Sequence, residues 1–388
     1  MVENVKNLIR ASMVRAGAAI QPNKNIWIFS SVDNRKFNYN SRYLFEYVKE
    51  HLSEIHPRYV INDREEREKL KNQYGEEYFI ESETKEGIRQ VLEGGVWFTS
   101  AGLPVYGPGL LKNRIIVNLW HGVPLKKIAL MENQSSILQR LYFKWIFSGN
   151  YSDILTTSDQ LIPIMAESFG VEREKIKVWG QPRNDLLFQR KDREELIREL
   201  YGTKMAIQHL ILYAPTYREF GGTVLFPFDD MDYEVLTDFL KRNQIMLLIR
   251  YHLEEQDNQC LEGEWIRTVN EDKAADIMEV LSAFDMVITD YSSIYIDFLL
   301  MERPLLFLPY DKEEYLKKRG MNFSYDEVTP GPKPATMKDF MKEMKKLLED
   351  SSYYQEERHR MNGFFNQIQR PCAGIICEKI KKEMRNET

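Results

Sequence analysis

Two histidines stand directly after short apolar runs, where a side chain can reach a bound ligand. His121 follows Ile115-Ile116-Val117-Asn118-Leu119-Trp120 and precedes Gly122-Val123-Pro124-Leu125-Lys126-Lys127. His252 closes Arg250-Tyr251-His252 after Met246-Leu247-Leu248-Ile249. An imidazole titrates near neutrality and can take a proton from a hydroxyl nucleophile. The alternative reading of His121 is a structural histidine in a tight turn. Arginines keep the same company: Arg218, with Thr216, follows Leu210-Ile211-Leu212-Tyr213, and Arg250 adjoins His252. A guanidinium is forked and permanently charged, so both can hold phosphate oxygens. Arg183, in Trp179-Gly180-Gln181-Pro182-Arg183-Asn184-Asp185, either marks a plain turn or faces the ligand.

The stretch Val287-Ile288-Thr289-Asp290-Tyr291-Ser292-Ser293-Ile294-Tyr295-Ile296-Asp297-Phe298 reads as strand, polar turn, then helix. Ser292 and Ser293 then fall at the helix start, where hydroxyls and unpaired N–H groups converge. Such a start attracts anions, phosphate above all. A well-capped structural helix is the competing explanation. A single anionic ligand shared by these strand-end residues accounts for all of them most simply.

The elements that must position these groups alternate between strand and helix. Ile26–Ser30, Arg58–Ile61, Val96–Thr99 and Ile115–Trp120 read as strands in the first half. Residues 210–213, 246–249, 286–289 and 305–308 do so in the second, with helical stretches at 232–243, 273–284 and 294–301. That alternation implies parallel α/β layers. The expectation is two Rossmann-like domains, residues 1–188 and 189–388, facing a central cleft. The region after 335 is read as helical, its last helix crossing back to the first domain. Ligands in such folds sit at the carboxyl ends of strands.

Composition narrows the function classes. The chain has 388 residues, 43% hydrophobic and 29% charged, with formal net charge −6. No basic excess is available to displace counterions, which argues against a nucleic-acid binder. Cys260, Cys372 and Cys377 form no disulfide framework and no zinc set, so no metal or cofactor is expected. Asp229-Asp230-Met231-Asp232 reads as a helix-capping loop, not a metal site. No run approaches a membrane span, so work at a membrane would be done from its surface. Residues 1–20 show helical spacing with a basic face, which fits a helix packed on its own domain or one lying at an interface.

Together these segments resemble the CDP-glycerol glycerophosphotransferases, the teichoic-acid primase and polymerase family. Trp120-His121-Gly122-Val123-Pro124-Leu125-Lys126 is similar to the family's WHGTPLK, and Gly180–Asp185, Tyr213–Arg218 and Arg250-Tyr251-His252 extend the match. Thr289-Asp290-Tyr291-Ser292-Ser293 with Asp297, then Arg303-Pro304, resembles its TDYSS segment. Glu327 with Pro330-Gly331-Pro332 resembles its late PGP motif. The likeness runs from about residue 25 to 370. Val123 stands where the family has Thr, and Leu253 where it has Pro; either difference could mark another donor or acceptor.

The resemblance implies a GT-B architecture with the CDP-alditol held mainly by the C-terminal domain. It implies an enzyme that moves glycerol phosphate from CDP-glycerol to a hydroxyl of a lipid-linked acceptor and releases CMP. His121 and His252 become the catalytic candidates, with Lys126, Arg183, Thr216, Arg218, Arg250, Asp290, Ser292, Ser293 and Asp297 as substrate-binding residues. Lipid-linked acceptors imply peripheral attachment to the cytoplasmic face of the membrane. The basic, aromatic stretch Leu138–Phe147 fits either that attachment or a buried helix. CDP-ribitol transfer, and sugar transfer from a nucleotide-sugar, are the alternatives.

Overall fold

The computed structural model describes residue 14 and residues 20–107, 109–132, 137–218, 222–251 and 262–386. Most of the N-terminal stretch, and His252, Leu253 and Cys260, lie outside the described residues. The chain divides into two compact units. One comprises the residues up to 122, residues 128–185 and those from 370 onward; the other comprises 123–127 and 186–369.

In the first unit β1 (Asn23–Ser30), β2 (His56–Val60), β3 (Phe79–Ile80), β4 (Gly94–Thr99), β5 (Ile115–Asn118), β6 (Asp153–Thr156) and β7 (Ile176–Val178) form one sheet. Its order is β3-β2-β1-β4-β5-β6-β7, and every pairing is parallel. The central strands β1 and β4 are covered on both faces. That is why Ile26–Phe29 and Val96–Phe98 are continuous apolar runs instead of alternations. Phe29 and Phe98 stack at 5.2 Å between ring centres, and Phe45 of the helix Tyr39–His51 meets Phe29 edge-on at 5.6 Å. The short strands β3, β6 and β7 escaped the sequence reading because each has only two consecutive apolar residues or fewer, whereas the equally short strand Leu305–Phe307 is apolar throughout.

The second unit repeats the plan with β8 (His209–Ala214), β9 (Ile245–Ile249), β10 (Ile266–Thr268), β11 (Met286–Thr289) and β12 (Leu305–Phe307). The order is β10-β9-β8-β11-β12, again all parallel. The helix expected over 232–243 is observed at Tyr233–Arg242, whereas the one expected over 273–284 shrinks to Met278–Leu281. Asp232 accepts N–H bonds from Glu234 and Val235, and Asp230 accepts one from Met337 at 2.7 Å. The acidic loop thus caps two helices.

Three helices follow residue 335: Met337–Glu349, Gln355–Phe365 and Ala373–Asn386. The last belongs to the first unit. There the Asp185 carboxylate accepts from the N–H groups of Cys372 (2.7 Å) and Ala373 (2.9 Å), which ties the helix start to the turn after β7. Burial pushes the Asp185 carboxyl up, against the downward pull of those two N–H groups.

Candidate functional site

All strands of a parallel sheet end at the same edge, so the loops after β1, β4, β5 and β7 gather on one side of the first unit. His121 stands there. The strand read as reaching Trp120 stops at Asn118 because Trp120 adopts φ 53°, a left-handed conformation rare for a bulky side chain. Such a residue costs on the order of 1–3 kcal/mol and persists only where its surroundings hold it. Gly122 follows at φ 151°, where any side chain would be strained.

The imidazole of His121 lies half-buried against the rings of Trp120 (4.0 Å between centres) and Tyr39 (5.1 Å). Its Nδ1 is 2.9 Å from the Ser100 carbonyl oxygen. A carbonyl only accepts, so Nδ1 carries the hydrogen and Nε2 keeps the lone pair. Burial lowers the pKa of His121, and the Arg183 guanidinium adds to the lowering, although the Ser100 bond opposes it. The group is therefore a neutral base near pH 7.

Arg183 is buried, and its Nη1 donates to the His121 carbonyl at 2.8 Å. Fully buried Asn40 donates through Nδ2 to the Trp120 carbonyl at 2.8 Å and accepts from the Arg183 N–H at 3.1 Å. Asn118 accepts from the Trp120 N–H at 2.9 Å. Asn40, Ser100, Asn118 and Tyr39 were not singled out from the sequence. Ser100 was reachable, because it directly follows a legible strand.

In the second unit the carboxyl ends of β8, β11 and β12 gather Thr216, Arg218, Asp290 and Asp311. Asp290 Oδ1 accepts from both the N–H (2.9 Å) and the hydroxyl (2.6 Å) of Thr216. Its Oδ2 accepts from Arg218 Nη2 at 2.8 Å, and Asp311 accepts from Arg218 Nε at 2.8 Å. The Tyr291, Tyr310 and Tyr315 rings lie 5.0–5.2 Å from the guanidinium carbon. Phosphate contacts are expected of Thr216 and Arg218; in the structure the Thr216 hydroxyl bonds Asp290, and Arg218 bonds Asp290, Asp311 and the Thr216 carbonyl, so two acids face one guanidinium. Thr216, Arg218, Asp311, Tyr310, Tyr315 and Lys126 line a cavity of about 400 Å³ that also takes in Glu314 and Lys318, with Asp290 behind its wall. The Lys126 ammonium sits 5.4 Å from the centre of the Tyr315 ring. The segment carrying it is fastened within this unit, where Asn322 Nδ2 donates to the Pro124 and Lys126 carbonyls at 2.8 and 2.9 Å.

Around the Thr-Asp-Tyr-Ser-Ser turn, Ser293 starts the five-residue helix Ile294–Phe298, and Ser292 Oγ accepts weakly from the Ile294 N–H at 3.4 Å. Asp297 is buried in that helix. Tyr291 stacks on Tyr315 at 4.0 Å, and the Tyr325 hydroxyl donates to the Asp290 carbonyl at 2.9 Å. Arg250 Nη1 donates to the carbonyls of Val269 (3.0 Å) and Ala274 (2.8 Å), which braces the loop after β10. The Pro330-Gly331-Pro332 motif lies against β12. A Cβ on Gly331 would fall 2.3 Å from the Leu305 carbonyl oxygen, so no larger residue fits. Of the sequence-derived candidates, His121 and Arg183 thus share one site in the first unit. Lys126, Thr216, Arg218 and Asp290 share another in the second. Arg250, Ser292, Ser293 and Asp297 occupy neighbouring strand-end segments of that second unit.

The family model for CDP-glycerol:poly(glycerophosphate) glycerophosphotransferase matches residues 13–371. A teichoic acid poly(glycerol phosphate) polymerase of Bacillus spizizenii is 26% identical, the alignment covering 93% of this chain and 92% of that protein. A teichoic acid glycerol-phosphate transferase of Staphylococcus aureus is also 26% identical, over 92% of this chain and 94% of that one. The solved structure of the wall teichoic acid polymerase TagF aligns with 100% of this chain and 97% of its own, at TM-score 0.78 and 21% identity. That likeness speaks to the fold, which is GT-B. Fold, motif order and family match agree: the chain belongs to the CDP-glycerol:poly(glycerophosphate) glycerophosphotransferase family.

Proposed function

We propose that the chain moves glycerol phosphate from CDP-glycerol to a hydroxyl of a lipid-linked acceptor, with His121 as general base. The acceptor oxygen attacks the glycerol-bearing phosphorus as its proton passes to His121 Nε2. The bond from that phosphorus to the bridging oxygen breaks, CMP leaves and a phosphodiester forms. The observation that carries the assignment is the Nδ1–Ser100 bond, which leaves a neutral imidazole with its lone pair on Nε2. Lys126 raises positive potential, and the Ser292-Ser293 segment supplies N–H and hydroxyl donors to the donor's phosphates. Thr216 and Arg218 shape the cavity wall, and Asp290 holds both from behind. His252 remains a second catalytic candidate on its sequence position alone.

The acceptor's lipid and the membrane also enter as proposals. The helix Ile137–Phe143 and the turn after it expose Ile137 (77%), Leu138 (78%) and Trp145 (62%), with Arg140 and Lys144 among them. Exposed apolar groups interleaved with cations suit an interfacial helix on the cytoplasmic face of the membrane.

The test offers the protein CDP-glycerol, CDP-ribitol or UDP-sugars with a defined lipid acceptor and measures the free nucleotide released. CMP release with CDP-glycerol alone is expected. Release with CDP-ribitol alone would move the chain to ribitol transfer, and UDP release would overturn phosphotransfer. His121→Ala should cut turnover far more than donor affinity, whereas equal losses would remove it as the base.

A further inference from the structure

We propose that Asn40 and Arg183 are positioning residues that aim His121, a role resting on the reading of His121 as the base. Three successive carbonyls at its turn are held from the start of the helix Tyr39–His51 and from the turn after β7. The Asn40 amide donates to the Trp120 carbonyl at 2.8 Å and to the Leu119 carbonyl at 3.3 Å. Arg183 Nη1 donates to the His121 carbonyl at 2.8 Å, and the strap closes on itself where Asn40 Oδ1 accepts the Arg183 N–H at 3.1 Å. The turn needs such a strap, because Trp120 sits at φ 53° and relaxation of that residue would rotate the peptide that carries the imidazole. The ring lies against that of Trp120, 4.0 Å between centres and tilted by 34°, so a rotation there displaces Nε2.

Asparagine suits position 40 because it donates and accepts from one fully buried group. Aspartate, of equal size, would set a carboxylate oxygen against the Trp120 carbonyl. Alanine would leave the Trp120 carbonyl and the Arg183 N–H without this partner. Arg183 is thereby a group behind the base instead of a contact to the phosphates.

Steady-state CMP release and calorimetric CDP-glycerol binding test the proposal on Asn40→Asp, Asn40→Ala, Arg183→Lys and Arg183→Met. A displaced base costs about 10²-fold in kcat, so the Asn40 variants should lose about that much while donor affinity stays within about twofold. In a His121→Ala background, Asn40→Ala should add no further loss. Arg183→Lys should recover part of what Arg183→Met loses. The charged and titratable groups facing the imidazole within this unit are Arg183 and Tyr39. The acidic limb of the pH–kcat profile should therefore move to higher pH in Arg183→Met and stay put in Arg183→Lys.

Wild-type kcat in Asn40→Asp, or an equal loss from Asn40→Ala with and without His121, overturns the proposal. So does a loss of donor affinity in the Arg183 variants that matches their loss of kcat. Wild-type turnover in His121→Ala alone would instead defeat the underlying reading of the base. If the Asn40 variants do not fold by circular dichroism, the Arg183 pair decides through its pH limb. That limb also decides if His121→Ala leaves no measurable rate.

Discussion

At the scale of single residues, burial matters more than residue type. His121 was legible as a candidate from its place after a strand, but only the structure pairs Nδ1 with Ser100 and so assigns the lone pair. Because burial depresses its pKa, the neutral form persists to lower pH than in a free histidine. Activity should rise with pH through an acidic limb lying below the ordinary value of about 6.5. A depressed histidine also contributes stability that is present above the unfolded pKa and lost as pH falls through the folded one. His121→Gln should therefore flatten the acid side of the pH–stability curve, measured by urea denaturation. Arg218, read from the sequence as a phosphate contact, is faced in the structure by two acids, Asp290 and Asp311. With side chains only 5% and 2% exposed, the Arg218–Asp290 pair is buried, and removing Asp290 leaves Arg218 with Asp311 alone and takes the acceptor from the Thr216 hydroxyl. Asp290→Ala should lower stability by about 1–3 kcal/mol, read as a drop in the denaturation midpoint.

Elements were legible where they are long or buried on both faces. Strands β1, β4, β8, β9 and β11 declared themselves as apolar runs, and the parallel α/β class followed from their alternation with helices. The two- and three-residue strands β3, β7 and β10 did not, since their existence depends on a neighbour already in place. Capping divides in the same way. Asp232 precedes its own helix and can be read locally, whereas Asp185 caps a helix that begins 188 residues later. Asp185→Ala should cost about 1–2 kcal/mol, and Asp185→Asn less, because the amide retains one acceptor. Urea denaturation of the two variants distinguishes them. Equal losses would show that capping is not what Asp185 contributes.

For the whole molecule, the apolar groups of 137–145 carry a prediction of their own. Burying one such side chain in an interface is worth about 1.5–3 kcal/mol. Replacing Leu138 and Trp145 together by Glu should shift the protein from sedimenting with anionic phospholipid vesicles to the supernatant, while turnover on a detergent-dispersed acceptor survives. Unchanged sedimentation would end the membrane role of this helix. The sequence by itself determined the α/β class, the order of the strand-end motifs and the family they spell, because these depend on local period and on residues adjacent in the chain. Tertiary structure decided which of these groups are paired with one another. Asn40 and Arg183 are 143 residues apart, and Arg218 and Asp290 are 72 apart, yet each pair is joined by a hydrogen bond. A hydrogen bond consumes a donor whatever the separation along the chain, and no local pattern records that.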